Sequence, residues 1–296
     1  MRTKPECFSC FLNQVLSAGK RVTKDEEVLI NAIKKASEIL PYLSINDSPA
    51  YNTYLVLKRG YEILGNKDPY YEEKRKYNKL ALSLYPTLKN IVKNSKDPLH
   101  TAVKIAIAGN IIDLGIVDLS KINIEEYIKM VLETPLPLEH YEYFKREVEK
   151  AKNIVYLLDN AGEIVFDKIL IEELDGKRIT AIVSEGPIIN DAMMEDAIEV
   201  GLTQVCNVIT SGSDTVGKIP ELGSEEFKSA LYNADVIIAK GQGNYENLDE
   251  KGLNIFFLLK AKCEIIAKSL GINFGDSALA YGPILRRCQN ALKNHN

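Results

Sequence analysis

The stretch YLLDNAGEIVFDKILIEEL, residues 156–174, joins an apolar run to a helical pattern through Asp159-Asn160-Ala161-Gly162-Glu163. An apolar run broken by a polar, glycine-containing turn and resumed with helical spacing is the opening of a strand–turn–helix unit. Working outward, the unit repeats. Apolar runs at 153–158, 178–183, 205–210, 235–239 and 255–259 alternate with helical patterns at 163–174, 191–200, 225–231 and 263–270. Strand and helix in alternation predict an α/β three-layer sandwich with a mostly parallel central sheet. A last strand is expected near 277–281.

Upstream of about residue 150 the period is helical. Phe8, Phe11, Leu12, Val15 and Leu16 share one face, Ser48-Pro49 is a helix start, and Gly65 is a stop. Pro86 is expected to kink or divide a long helix. The nearly apolar segment 98–115 is expected to thread the middle of the molecule. Two domains follow: 1–150, an all-helical N-terminal domain, and 151–296, an α/β/α domain.

Bulk properties exclude several classes. The 296 residues are 46% hydrophobic and 26% charged, with a formal charge of -4, which fits neither disorder nor a nucleic-acid-binding footprint. No signal peptide and no apolar run of membrane-spanning length is read, so a cytoplasmic location is expected. Five cysteines at uneven spacings do not suggest a secreted disulfide framework.

In open α/β sheets, sites form beyond the carboxyl ends of the strands. There the chain places DNAGE, SEGPIIND, SGSDTVG and KGQGNYE, one after each of the first four strands. Asp159, Asn160 and Asp191 offer oxygen ligands suited to Mg²⁺ or Mn²⁺. Helix starts at Gly162 and after Asn190 offer N–H groups to an anion. Lys240 can set a positive charge over phosphate oxygens, and the Ser211 and Ser213 hydroxyls can hold another oxygen. Together these point to phosphoryl hydrolysis. Plainer readings stand beside them: Asp159-Asn160 as a turn and cap, Asp191 as a helix cap, Lys240 as a solvent-facing loop residue, and 211–217 as a turn-rich connection. No P-loop or dinucleotide fingerprint occurs, and Ala161 stands where an aspartyl-phosphate motif has its second Asp.

The ordered set KPECFSCFLNQ, IAGNIIDLG, LLDNAGEIVFDKILIEEL, GPIINDAMMEDA, SGSDTVG, KGQGNYE and LLKAKCEIIAKSLG resembles the metal-dependent damage-control phosphatase family, in particular its archaeal type. The resemblance implies a divalent cation (Mn²⁺, Ni²⁺, Co²⁺ or Mg²⁺) on Asp159, Asn160 and Asp191. It implies hydrolysis of small phosphate monoesters such as sugar phosphates or damaged phosphometabolites. Lys240 would face the phosphate, with Gly241 and Glu246 in its loop, and the other motif loops would add Gly162, Glu163 and Asp214. Asn110 and Asp113, three apart, can share a helical face turned to the metal or substrate. The eukaryotic branch carries an Arg-Thr-x-Lys motif where this chain has LKAKC, a departure from its pattern. Cys7, Cys10 and Cys263 could form a second metal site or a redox site, or simply pack. A phosphometabolite-binding module without turnover and a carboxylate methyltransferase are the alternatives. No nucleic-acid or membrane partner is expected, and oligomerisation is unread.

Overall fold

The computed structural model, which describes residues 1–112 and 124–293, turns every apolar run of the second half into a strand. These are β2 (Asn153–Leu157), β3 (Arg178–Val183), β4 (Asn207–Thr210), β5 (Val236–Lys240), β6 (Ile255–Lys260) and β7 (Ser277–Tyr281). A two-residue strand not read from the sequence, β1 (Leu138–Glu139), pairs with β7. The sheet order is β1-β7-β6-β5-β2-β3-β4, parallel throughout except for the β6–β7 pair. From β2 the chain steps to β3 and β4 on one side, and from β5 to β6 on the other. The switch point therefore falls between β2 and β5, where a crevice opens at the strands' carboxyl ends.

Seven helices cross between strands or follow them: α7 (Tyr141–Lys150), α8 (Glu163–Glu173), α9 (Met194–Glu199), α10 (Glu225–Tyr232), α11 (Gly241–Leu248), α12 (Glu264–Leu270) and α13 (Gly282–Lys293). The sheet is covered on both sides because its strands carry apolar residues on both faces. Ile154, Tyr156 and Phe256 point into one core, while Val155, Leu157 and Phe257 point into the other. On the first face the ring of Phe144 meets Phe256 edge-on at 5.2 Å, a pair worth roughly 0.5–1.5 kcal/mol beyond area burial.

The helical half contains α1 (Pro5–Val22), α2 (Glu26–Ser37), α3 (Pro49–Leu64), α4 (Tyr71–Lys93), α5 (Pro98–Ala108) and α6 (Ile124–Glu133). Ser48 caps α3 through the amide of Tyr51, and Gly65 ends it in the left-handed conformation. Contrary to the expected division, α4 runs unbroken through Pro86, with Leu88 and Val92 beyond it buried. The first three helices close their own core around Phe11, Val15 and Leu57. Helices α4, α5 and α7 instead share the core of α8 and the sheet. That division brings α1 and α3 over the crevice as one wall and α5 behind it. Among the described residues no helix is long and apolar enough to cross a membrane.

Candidate active site

Beyond β2 the chain stays extended and meets the segment after β3. The Ala161 amide donates to Asn190 O at 2.9 Å and the Ala192 amide to Asp159 O at 2.8 Å. Asn160 and Asp191 thereby face each other as a two-residue antiparallel bridge. These bonds flank the pair, so it is the narrow kind, in which Cα atoms lie about 4.5 Å apart and side chains adjoin. Asp191 is therefore not a helix cap. It sits in extended chain three residues before α9 begins. The turn that delivers it bends sharply: the Asp191 amide donates to Ile188 O, and Ile189 adopts φ 44°, strained for a β-branched residue.

Asp159 is buried against the start of α11, and Gly241 makes room for it. A Cβ at Gly241, whose φ is +77°, would fall 1.9 Å from Asp159 Oδ2. Asn160 Nδ2 donates to Asp159 Oδ2 and to Glu163 Oε2, both at 2.9 Å. With both amide hydrogens taken on that side, Asn160 Oδ1 is left as its acceptor.

Two buried lysines stand behind this group. Lys218 Nζ donates to Asp191 Oδ2 at 3.1 Å and to Ser184 Oγ at 3.0 Å, and Ser184 Oγ donates to Asp191 Oδ2. Lys240 Nζ donates to Asp167 Oδ1 at 2.7 Å and to Glu163 Oε1 at 3.2 Å, and the Tyr156 hydroxyl also reaches Asp167. Asn110 Nδ2 donates to Glu163 Oε1 as well. Asp159, Glu163, Asp167, Asp191, Lys218 and Lys240 are all buried. Four carboxylates thus share a dry cluster with two ammonium groups, a formal surplus of two negative charges.

That surplus is visible in the titration of its members. Burial, then the charges of Glu163 and Asp191, push Asp159 well above the usual carboxylate range, with Lys262 and Lys218 opposing. Asp191 is raised by burial against the pull of Lys218. Asp167 is raised to about 6 by burial, with Lys240 opposing. Lys240 is held above its ordinary value, because Asp167 and Glu163 outweigh its own desolvation.

Asp159, Asn160 and Asp191 open onto a cavity of about 600 Å³, within the range of small-molecule sites. Its walls include Phe11 from α1, Pro49 and Ala50 from α3, Tyr70, and Glu246 from α11. Lys262, between β6 and α12, lines it, as do Arg21 and Lys268.

Several sequence expectations land elsewhere. Lys240 does not line the cavity: its ammonium is enclosed by Asp167 and Glu163, because it ends β5 facing α8 rather than the crevice. The Gly162 amide is taken by Asn78 Oδ1 of α4 at 2.7 Å, so it is not open to an anion. Glu163 and Asn110 lie behind Asn160, and Gly241 supports Asp159. Ser211 Oγ bonds within its own loop to Ser213 O, Ser213 Oγ adjoins Thr215 Oγ1, and Asp214 pairs with Lys58. The Ser211 and Ser213 hydroxyls are therefore engaged within their loop, while Asp214 reaches across to α3. Asp113 lies outside the described residues.

Cys7 and Cys10 gather with Cys263 and Glu246 along one cavity wall, and burial raises both α1 thiols. Among the described residues no three His, Cys, Asp or Glu side chains are disposed to hold a metal ion, the cysteines included. Sequence reasoning missed Asp167, Ser184, Lys218 and Asn244. Asn244 accepts from the Lys218 amide and donates to Leu158 O and Lys240 O, tying the ends of β2 and β5 to the segment after β4. Ser184 and Asn244 lie in rim loops already quoted, and Asp167 carried a signal of its own: a carboxylate four residues after Glu163 on the buried face of a largely apolar helix.

Residues 3–278 match the family model of the damage-control phosphatase ARMT1-like domain. A damage-control phosphatase of Archaeoglobus fulgidus is 38% identical over 283 residues, 93% of this chain and 98% of that one. One from Pyrococcus horikoshii is 38% identical over 280 residues, 93% of this chain and 96% of that one. A crystal structure of a DUF89 family protein from P. horikoshii superposes with a TM-score of 0.87 at 36% identity, covering 95% of this chain and 99% of the other. The match runs across the crevice and both its walls, and the chain belongs to the ARMT1-like damage-control phosphatase family.

Proposed function

We propose that the chain is a divalent-metal-dependent phosphatase that hydrolyses small phosphate monoesters, sugar phosphates or damaged phosphometabolites among them, in the cytoplasm. The relatives' names support phosphatase chemistry generally. The observation that carries metal dependence is the cluster's formal surplus of two negative charges, with Asp159 and Asp191, both raised by burial, opening onto a cavity. Burying like charges without a partner costs several kcal/mol, and one divalent cation cancels a surplus of two.

Asp159, Asn160 and Asp191 would hold the ion. An all-oxygen set of two carboxylates and an amide suits Mg²⁺ or Mn²⁺ and admits Co²⁺ or Ni²⁺. Such an ion supplies Lewis-acid polarisation of a phosphoryl oxygen and a nucleophile from water near neutral pH. The remaining work falls to the chain's own residues. Lys262 takes the role expected of Lys240: it lines the cavity, and its charge already opposes the rise of the Asp159 pKa, so it can neutralise phosphate oxygens. Glu246, raised to about 7 by burial, lines the same cavity. Its Oε1 accepts from Gln242 Nε2 at 2.8 Å and the Ala50 backbone also bonds the carboxyl, which in its protonated form can pass a proton to the departing alkoxide. Phe11, Pro49 and Tyr70 exclude water around the leaving group.

The test is phosphate release from a panel of small phosphomonoesters after metal stripping, with Mn²⁺, Mg²⁺, Co²⁺ and Ni²⁺ restored singly. Release that returns with metal and is absent in Asp159→Ala is expected. Binding of a phosphorylated ligand without release under any metal would favour the binding-module reading.

A further inference from the structure

We propose that Glu163 is a positioning residue that fixes which face of the Asn160 amide looks into the cavity. The proposal rests on the metal site at Asp159, Asn160 and Asp191. An asparagine side chain is nearly symmetric in shape, and only its hydrogen-bond partners decide whether oxygen or nitrogen points outward. At Asn160 the inward partners are the carboxylate oxygens Asp159 Oδ2 and Glu163 Oε2, each 2.9 Å from Nδ2. Both oxygens accept from Nδ2, so the amide NH₂ is drawn inward and Oδ1 is turned to the side where a cation would sit.

Glu163 can do this because it is itself fixed. Its other oxygen, Oε1, receives Lys240 Nζ at 3.2 Å and Asn110 Nδ2. Three donors, Lys240 Nζ, Asn110 Nδ2 and Asn160 Nδ2, converge on one buried carboxylate and occupy both its oxygens. Asn110 and Lys240, which line no part of the cavity, thereby act on its ligand set through Glu163.

A glutamine at 163 has one oxygen for three donors. Lys240, the charged one, retains it, so the new NH₂ faces Asn160 and the Asn160 amide rotates to present its own oxygen inward. The ligand oxygen would be replaced by an N–H donor. In Glu163→Gln, Mn²⁺ affinity is expected to fall about tenfold or more, equivalent to about 1.4 kcal/mol. An aspartate at 160 offers an oxygen in either orientation, so in an Asn160→Asp background the same change should cost less than about twofold.

The measurement is Mn²⁺ titration of the metal-stripped full chain, with free Mn²⁺ read by electron paramagnetic resonance, on wild type, both single variants and the double variant. A merely structural Glu163 would cost the same in both backgrounds, and that result overturns the proposal. So does a folded Glu163→Gln protein with wild-type affinity. Should Glu163→Gln not melt cooperatively, Glu163→Asp carries the test. It keeps the charge beside Lys240 and withdraws the oxygen from Asn160, so unchanged affinity there is equally fatal. A wild type that binds no Mn²⁺ removes the metal site and this proposal together, whereas wild-type binding matched by the variants removes the proposal alone.

Discussion

Replacing Asp159 by asparagine should stabilise the metal-free protein and destabilise it relative to wild type once metal is present. Asn fits the space opened by Gly241 and can still accept from Asn160 Nδ2, so packing changes little. What changes is charge. Asp159 is raised by burial and by the Glu163 and Asp191 charges, so ionising it opposes folding. With a folded pKa above the unfolded one, its contribution is fully favourable at acidic pH and is lost as pH rises. The gap between variant and wild type should therefore be absent in acid and widen toward pH 8. Relief of one uncompensated buried charge is worth about 2 kcal/mol, or a melting shift of roughly 4–8 °C for a domain of 150–250 residues. Added Mn²⁺ at a hundred times its dissociation constant stabilises wild type by about 2.7 kcal/mol, and the variant by little. Thermal melts at pH 5 and pH 8, with and without Mn²⁺, give the four values needed. A variant that melts below wild type without metal, or that gains as much from Mn²⁺, refutes the charge-surplus reasoning.

Gly241→Ala would drive a Cβ to 1.9 Å from Asp159 Oδ2 in a left-handed conformation. It should cost more than about 1 kcal/mol of stability, read by denaturant melts, and most of the Mn²⁺ affinity. Lys262→Ala should lower kcat/KM by about tenfold or more while leaving Mn²⁺ affinity in place, a split that phosphate-release kinetics and titration separate. Glu246, raised to about 7 with Cys7, Cys10, Cys263, Asp249 and the chain's amino terminus around it, should give wild-type kcat an alkaline limb near that pH. The limb reflects loss of the proton donor as pH rises, and Glu246→Gln should abolish it along with most of the rate. Lys218→Met should destabilise by about 3–5 kcal/mol in urea melts, because Asp191 would keep its burial and lose its cation.

The fold was legible because its signals are local. A run such as NIVYL or VIIAK needs only its own apolar residues and the polar turn after it to declare a buried strand, and the five runs appear within two residues of their expected bounds at each end. Asp159 and Asn160 were legible for the same reason: they sit where β2 stops. What stayed hidden depends on which strand lies beside which. Lys240 and Asp159 follow neighbouring parallel strands, yet one faces α8 and the other the crevice. Gly162 lost its amide to Asn78, more than eighty residues earlier, which no periodicity announces. Asp191 looked like a cap because helix α9 is near, and only its pairing with Asn160 shows it to be extended chain.

On the proposed metal site, the hidden residues also give the two buried lysines a role behind the cavity. With four buried carboxylates and no cation, the cluster could not stay ionised. With a third buried lysine inside it, little charge would remain to hold a divalent ion. Lys218 and Lys240 each bring one positive charge to the carboxylate cluster from behind. They approach from opposite flanks, Lys218 on Asp191 and Lys240 on Glu163 and Asp167, so each ligand-bearing segment is braced by its own cation. A single cation at the centre would compete for the same oxygens with the divalent ion proposed above. Two at the rear hold the ligand frame and leave its front open.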